Sequence, residues 1–270
     1  MDIQWSLVLF TALSGAGAWL FACVGINTFK GLAKKSVLPA SLAAVALLAV
    51  GGLCSVTHLS HPERMLSALG HPAPGIFLEA LLLGILAVVA LVYAVLLKRE
   101  ASMTGRKVLA VIGIVLAVVF SFSCGSSYMM ASQASWNTVA LPLGYLGMAA
   151  ASGTAVWALM TALFKEDVEA VRFAGRQMAV GGALALVFAL AYGMLSGVAG
   201  GSEAPLFWIA VVACGGLAPA VFGWLIIRDP GKALTYSVIA LTGALIGSVA
   251  YRALMWLVGS TLMALFGVVV

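Results

Sequence analysis

Long apolar runs separated by short polar links set the pattern of this chain. Eight of them reach the ~20 residues that a helix needs to cross a ~30 Å hydrocarbon core. They lie at Trp5–Phe29, Leu38–Leu59, Pro74–Leu97, Val108–Met130, Val139–Phe164, Phe173–Gly197, Leu206–Ile227 and Leu234–Val258. Only helices and closed barrels satisfy their own backbone in lipid. The runs lack the apolar/polar alternation of barrel strands, so the pattern predicts an all-α integral membrane protein with eight transmembrane helices. A ninth apolar piece, Gly259–Val270, is too short to cross and is expected to extend the last helix. Four spans followed by four more are expected to form two up-and-down four-helix bundles, over residues 1–132 and 133–270. Small-xxx-small spacing at Gly193/Gly197 and Gly243/Gly247 predicts close helix contact, as do Gly15, Gly17, Gly181 and Gly182.

Composition agrees with this reading and removes the soluble classes. The chain is 63% hydrophobic and 9% charged, with a mean hydropathy of +1.14, whereas a soluble domain carries about 25% charge. Its net charge of +5 would suit an acidic partner or nucleic acid, but the distribution argues for topology instead. The links after spans one, three, five and seven hold Lys30, Lys34 and Lys35; Lys98, Arg99, Arg106 and Lys107; Lys165, Arg172 and Arg176; Arg228 and Lys232. That is 12 of the 14 Lys and Arg, with only Arg64 and Arg252 toward the opposite side. The positive-inside rule then places these links in the cytoplasm and both termini outside. The start, MDIQW, has no basic residue ahead of its apolar run, so the first segment reads as a permanent helix rather than a signal peptide. Cys23, Cys54, Cys124 and Cys214 stand one per segment with no CxxC or Cys/His metal spacing, as expected for small packing residues.

One polar island interrupts the hydrocarbon. Ser55–Glu79 holds all three histidines (His58, His61, His71), Arg64, Glu63 and Glu79. A helix rises 1.5 Å per residue, which puts His58 at the outer end of span two and Glu79 about 7 Å into span three. Tyr128, Tyr192 and Arg252 calculate to the same outer layer. Each has a plain reading: an interfacial imidazole, a water-exposed or snorkelling carboxylate, aromatic-belt phenols, and an arginine that snorkels or pairs. A carboxylate inside a span is nevertheless costly unless paired or protonated. A histidine and a carboxylate at a membrane edge suit quinol oxidation, which releases two electrons and two protons. Neutral imidazole is a natural first proton acceptor, a buried carboxylate a natural second one or relay, and a greasy interhelical crevice would take the quinone tail. Haem is disfavoured, because only His58 is even marginally intramembrane. His61 and His71, beside prolines, read as structural. A small-molecule transporter would place its polar site at the midplane rather than at one surface. A structural anchor whose polar layer only docks partners stays open.

The run His58-Leu59-Ser60-His61-Pro62-Glu63-Arg64-Met65-Leu66, followed by Glu79, resembles the H-L-G-x-P-x-R-x-F…E stretch of membrane anchor subunits of dimethyl-sulfoxide-reductase-type molybdoenzymes. The likeness extends to Tyr128, to Trp136-Asn137-Thr138 with Pro142 and Gly144, and to Gly243-x-Leu245-Ile246-Gly247, and so covers essentially the whole chain. Ser60 replaces the loop glycine, and one residue is missing between Leu69 and Glu79. Ala244 and Ser248 stand where the pattern has Glu and Arg, with Arg252 one turn later. The resemblance implies an anchor that oxidises menaquinol and passes electrons to a four-cluster iron–sulfur subunit and a molybdopterin catalytic subunit. These partners would sit on the outer face of the cell membrane. It implies no haem or iron–sulfur cluster in this chain. His58 and Glu79 would take the catalytic roles, with Arg64, Tyr128 and Arg252 completing the quinol-binding set. The same architecture run in reverse would reduce quinone.

Overall fold

The computed structural model describes residues 2–57 and 74–259. Eight helices in it are long and apolar enough to span a membrane, and no strand occurs among the described residues. They are α1 (Trp5–Lys30), α2 (Val37–Val56), α3 (Pro74–Lys98), α4 (Met103–Ser126), α5 (Ala140–Leu163), α6 (Val168–Leu195), α7 (Ala204–Arg228) and α8 (Ala233–Leu257). Among the described residues the chain is thus the all-helical, multi-pass membrane protein that the apolar runs predict.

The helices differ sharply in how much protein surrounds them. The most apolar stretches of α1 and α5 are 78% and 67% buried, against 33–44% for the other six. α1 packs on α2, α4 and α5, while α5 also takes α4, α6 and α8. Small residues allow this central approach. A Cβ added at Gly15 of α1 would come within 2.9 Å of the Ala149 Cβ, and one at Gly153 of α5 within 2.5 Å of the Trp19 Cβ. Lipid tails are as apolar as leucine, so helices associate in a bilayer through such close van der Waals contact rather than through water exclusion. The outer helices show large apolar side chains to their surroundings instead, including Val88 and Leu91 of α3 and Val111 and Val115 of α4.

Helix ends depart from the hydropathy boundaries for physical reasons. α4 and α6 each begin five residues earlier than their apolar runs, because Ser102 caps α4 through the Gly105 N–H and Asp167 caps α6 through the Ala170 N–H. Arg106, Lys107, Arg172 and Arg176 therefore ride on helical turns rather than in loops. Continuing the helix keeps the backbone satisfied while these long side chains reach toward the polar boundary. α4 stops at Ser126, so Tyr128 belongs to the link and not to the span. α8 ends at Leu257 with Val258 as its cap. Of the piece Gly259–Val270, expected to extend the last helix, all but Gly259 lies outside the described residues.

Gly197 is corrected too. Its φ of +77° puts it in the left-handed region just past α6, with no atom crowding its Cβ direction, so it terminates a helix instead of packing one. The Gly243/Gly247 expectation holds: a Cβ at Gly247 would lie 2.1 Å from the Cα of Gly215 in α7. That stretch of α7, Phe207–Leu217, is wound as a wide π-helix between α-helical ends.

At the basic end, the link after α5 is tied to the link after α1. One Glu166 carboxylate oxygen accepts from both the Ser36 N–H (2.6 Å) and its hydroxyl (2.9 Å), and the Lys35 ammonium donates to the Lys165 carbonyl. The Ser36 N–H is shared with the Ala33 carbonyl (3.1 Å), so the carboxylate adds a second acceptor and joins the two links.

Candidate functional site

The opposite end of the molecule gathers three of the five residues expected to bind quinol. His58 and Arg64 lie outside the described residues, as do His61 and His71. Glu79 sits in the second turn of α3 and is buried, 7% exposed. Its carboxyl is hydrogen-bonded to the Ser127 side chain just beyond α4. Gly75, one turn earlier in α3, permits this approach, since a Cβ there would already be 3.3 Å from the Ser127 Cβ. Ser127 also donates to the Ser123 carbonyl at 3.1 Å. A hydroxyl has one proton to give. When Glu79 is protonated, it donates to Ser127, which donates on to Ser123, and every group is satisfied. When Glu79 is ionised, the Ser127 proton must turn toward it, and the Ser123 carbonyl keeps its bond from Ser126 (3.0 Å). The arrangement accommodates both states of one carboxyl with a single hydroxyl rotation.

Arg252 is buried to 1% exposure in α8, so it does not snorkel to the surface. Its Nε donates to the Thr11 hydroxyl of α1 (2.7 Å) and one terminal nitrogen to the Thr11 carbonyl (3.1 Å). The other terminal nitrogen donates to the Ser248 hydroxyl and carbonyl (2.7 and 2.9 Å). The guanidinium face lies over the Tyr145 ring, 4.6 Å from its centre, within reach of a cation–π attraction. Among the described residues no carboxylate is within ion-pair distance of it. Helical side chains lean toward the N-terminus. Arg252 therefore reaches back one turn and delivers its charge at the level of Ser248, where the resembled pattern carries its arginine.

Between these two charges stands an aromatic wall that the sequence did not reveal. Tyr128 meets Trp136, Tyr145 and Trp256 with ring centres 5.8–6.2 Å apart, and Tyr145 meets Tyr251, which meets Tyr192. Both Glu79 and Arg252 are close enough to act electrostatically on Tyr128 and Cys124. The Tyr251 hydroxyl donates to the Leu141 carbonyl at 3.0 Å. Gly144 makes room for it, because a Cβ there would fall 2.0 Å from that oxygen. The link before α5 closes the end of α8: the Trp136 indole N–H donates to the Met255 carbonyl (2.8 Å) and the Ser135 hydroxyl to the Val258 carbonyl (3.1 Å). Both acceptors belong to the terminal turns, whose carbonyls lack helical donors. On the flank of α8 at this end, Trp5, Leu206, Ala210, Ile246, Val249 and Ala253 border an open apolar crevice of about 600 Å³.

Thr11 and Ser248 were missed because one hydroxyl in an apolar run carries no sign of what it faces. The i,i+4 spacing of Ser248 and Arg252 was the available signal. For Tyr145 and Tyr251, the Gly144 beside the first was the only trace.

A search of curated proteins returned no match. The family model described as DMSO reductase anchor subunit (DmsC) matches residues 1–199, ending just after α6, so Gly243–Gly247 and Arg252 lie beyond the matched part. With about three quarters of its length matched, the chain belongs to the DMSO reductase anchor subunit family, whose members hold a molybdoenzyme's catalytic and iron–sulfur subunits to a membrane.

Proposed function

We propose that this chain binds menaquinol at the end that carries Glu79, Tyr128 and Arg252, oxidises it, and passes the electrons to the iron–sulfur subunit of its complex. The observation that carries this reading is the buried Glu79 carboxyl hydrogen-bonded to the Ser127 hydroxyl, at the same end as the buried Arg252. Oxidation converts the quinol to quinone, with two electrons leaving to the iron–sulfur subunit and two protons leaving to bases. His58 takes the first proton and hydrogen-bonds the quinol oxygen, and Glu79 takes the second and relays it outward. Arg252 supplies a positive potential that favours the anion formed when the first proton leaves. Arg64 and Tyr128 position the ring. The apolar crevice on the flank of α8 suits an isoprenoid tail.

In this reading the chain holds neither haem nor cluster. Its partners, a four-cluster iron–sulfur subunit and the molybdopterin catalytic subunit, dock on the outer face, over the polar but nearly uncharged links. The test is menaquinol turnover by the reconstituted complex. His58→Arg and Glu79→Gln should each abolish most of it while leaving the complex assembled. Normal turnover in either variant removes that residue from the mechanism. Normal turnover in both overturns the site. Saturable quenching of a fluorescent quinol analogue by the purified chain should accompany activity, and its absence would leave a purely structural anchor.

A further inference from the structure

Far from the quinol end, a second pocket of about 420 Å³ opens between the last turn of α1 and the first turns of α6. Lys30, Arg172 and Arg176 line it, with Glu169 as its one acidic neighbour. Positions 169, 172, 173 and 176 follow helical i, i+3, i+4, i+7 spacing, so one face of α6 supplies all its charges apart from Lys30. Among the described residues none of the three cations has a carboxylate within ion-pair distance. Leu32, Val168 and Phe173 give it apolar lining, and the Lys30 ammonium stands 5.9 Å from the Phe173 ring centre.

We infer that this pocket binds the phosphodiester headgroup of an anionic membrane lipid, independently of any quinol chemistry at the other end. Three cations against one carboxylate leave a local excess of positive charge that repels itself until an anion enters. Arginine forks and a lysine ammonium are the groups that bind phosphate oxygens. The depth is that of a headgroup, since the pocket lies at the terminal turns of two membrane-spanning helices. Basic pockets between transmembrane helices on the positive side of a membrane bind phospholipid heads in this way. A free phosphate would engage the same cations but has no use for Leu32 and Phe173, whereas a lipid's glycerol and upper acyl carbons would lie against them.

Native mass spectrometry of the purified full-length chain tests this, with phosphatidylglycerol, phosphatidylcholine and inorganic phosphate as probes. Phosphatidylglycerol should bind saturably and in preference to phosphatidylcholine, and phosphate should displace it poorly. At ~1 kcal/mol per basic residue, Arg172→Ala with Arg176→Ala should weaken phosphatidylglycerol binding about 30-fold. The pair Lys98→Ala and Arg99→Ala, which removes equal charge from the same end outside the pocket, should leave it unchanged. Arg172→Lys with Arg176→Lys keeps the charge and should retain most of the affinity. Equal losses in the two alanine pairs would reduce the effect to general surface attraction. Equal binding of phosphatidylcholine would reduce it to the apolar lining, and efficient displacement by phosphate to an ion site; each overturns the inference. Should the Arg172/Arg176 alanine pair fail to fold, the lysine pair and the three probes on the unaltered chain still decide.

Discussion

Two buried charges at one end of the molecule are held in opposite ways. Arg252 is held by four hydrogen bonds to Thr11 and Ser248, and its face lies on Tyr145. Those contacts join the first helix to the last, which are more than two hundred residues apart in sequence. Among the described residues Glu79 joins α3 to the end of α4 through Ser127. A charge wrapped in fixed dipoles keeps its state and serves as scaffold and field. One that shares a rotatable hydroxyl finds a hydrogen bond in either state. In the proposed mechanism the difference separates a group that holds the site from one that works in it.

The sharpest way to break this contrast is to remove the working proton. Glu79→Gln keeps the shape and the hydrogen bond to Ser127 but ends proton acceptance. Menaquinol oxidation by the complex should fall about 10²–10⁴-fold, with the thermal midpoint of the purified complex unchanged. A midpoint that drops while turnover survives would make Glu79 the scaffold. Thr11→Val acts on the other charge, stranding the Arg252 Nε–H. Leaving a buried donor unsatisfied should cost about 1–3 kcal/mol, read as earlier unfolding in detergent, with turnover reduced far less than in Glu79→Gln.

Gly144→Ala tests the aromatic wall between them. Its Cβ would collide with the Tyr251 hydroxyl, and overpacking should cost about 1–3 kcal/mol while Tyr251 gives up the Leu141 carbonyl. Unchanged stability would mean the wall yields easily. The smallest effect belongs to Ser127→Ala. Losing one hydrogen bond of about 1 kcal/mol should slow menaquinol oxidation about 5-fold without affecting assembly. An effect as large as that of Glu79→Gln would make the serine an obligatory relay.

Much of this architecture was legible before any coordinates. Span length and the absence of alternation gave eight helices, and helix rise put Glu79, Tyr128 and Arg252 at one depth. Depth says nothing of lateral position, however. Nothing in the sequence indicated that Arg252 faces Thr11 across a helix interface instead of reaching the surface, or that Tyr145 lies beneath it. Hydropathy also misplaced the starts of α4 and α6, because it registers the cations and not the caps at Ser102 and Asp167 that carry the helix past them. Gly197 looked like its packing neighbours because spacing alone cannot distinguish a contact glycine from one whose backbone turns left-handed.

The Glu166–Ser36 link has a consequence for how the chain is made. The carboxylate that ties Ser36 to the link after α5 is encoded 130 residues after the serine it binds. At ribosomal speeds of ~5–20 residues per second, α2 is made roughly ten seconds before that tie can form. The first hairpin must therefore insert without that tie, and the two links are joined only once the fifth segment and the link after it have been made.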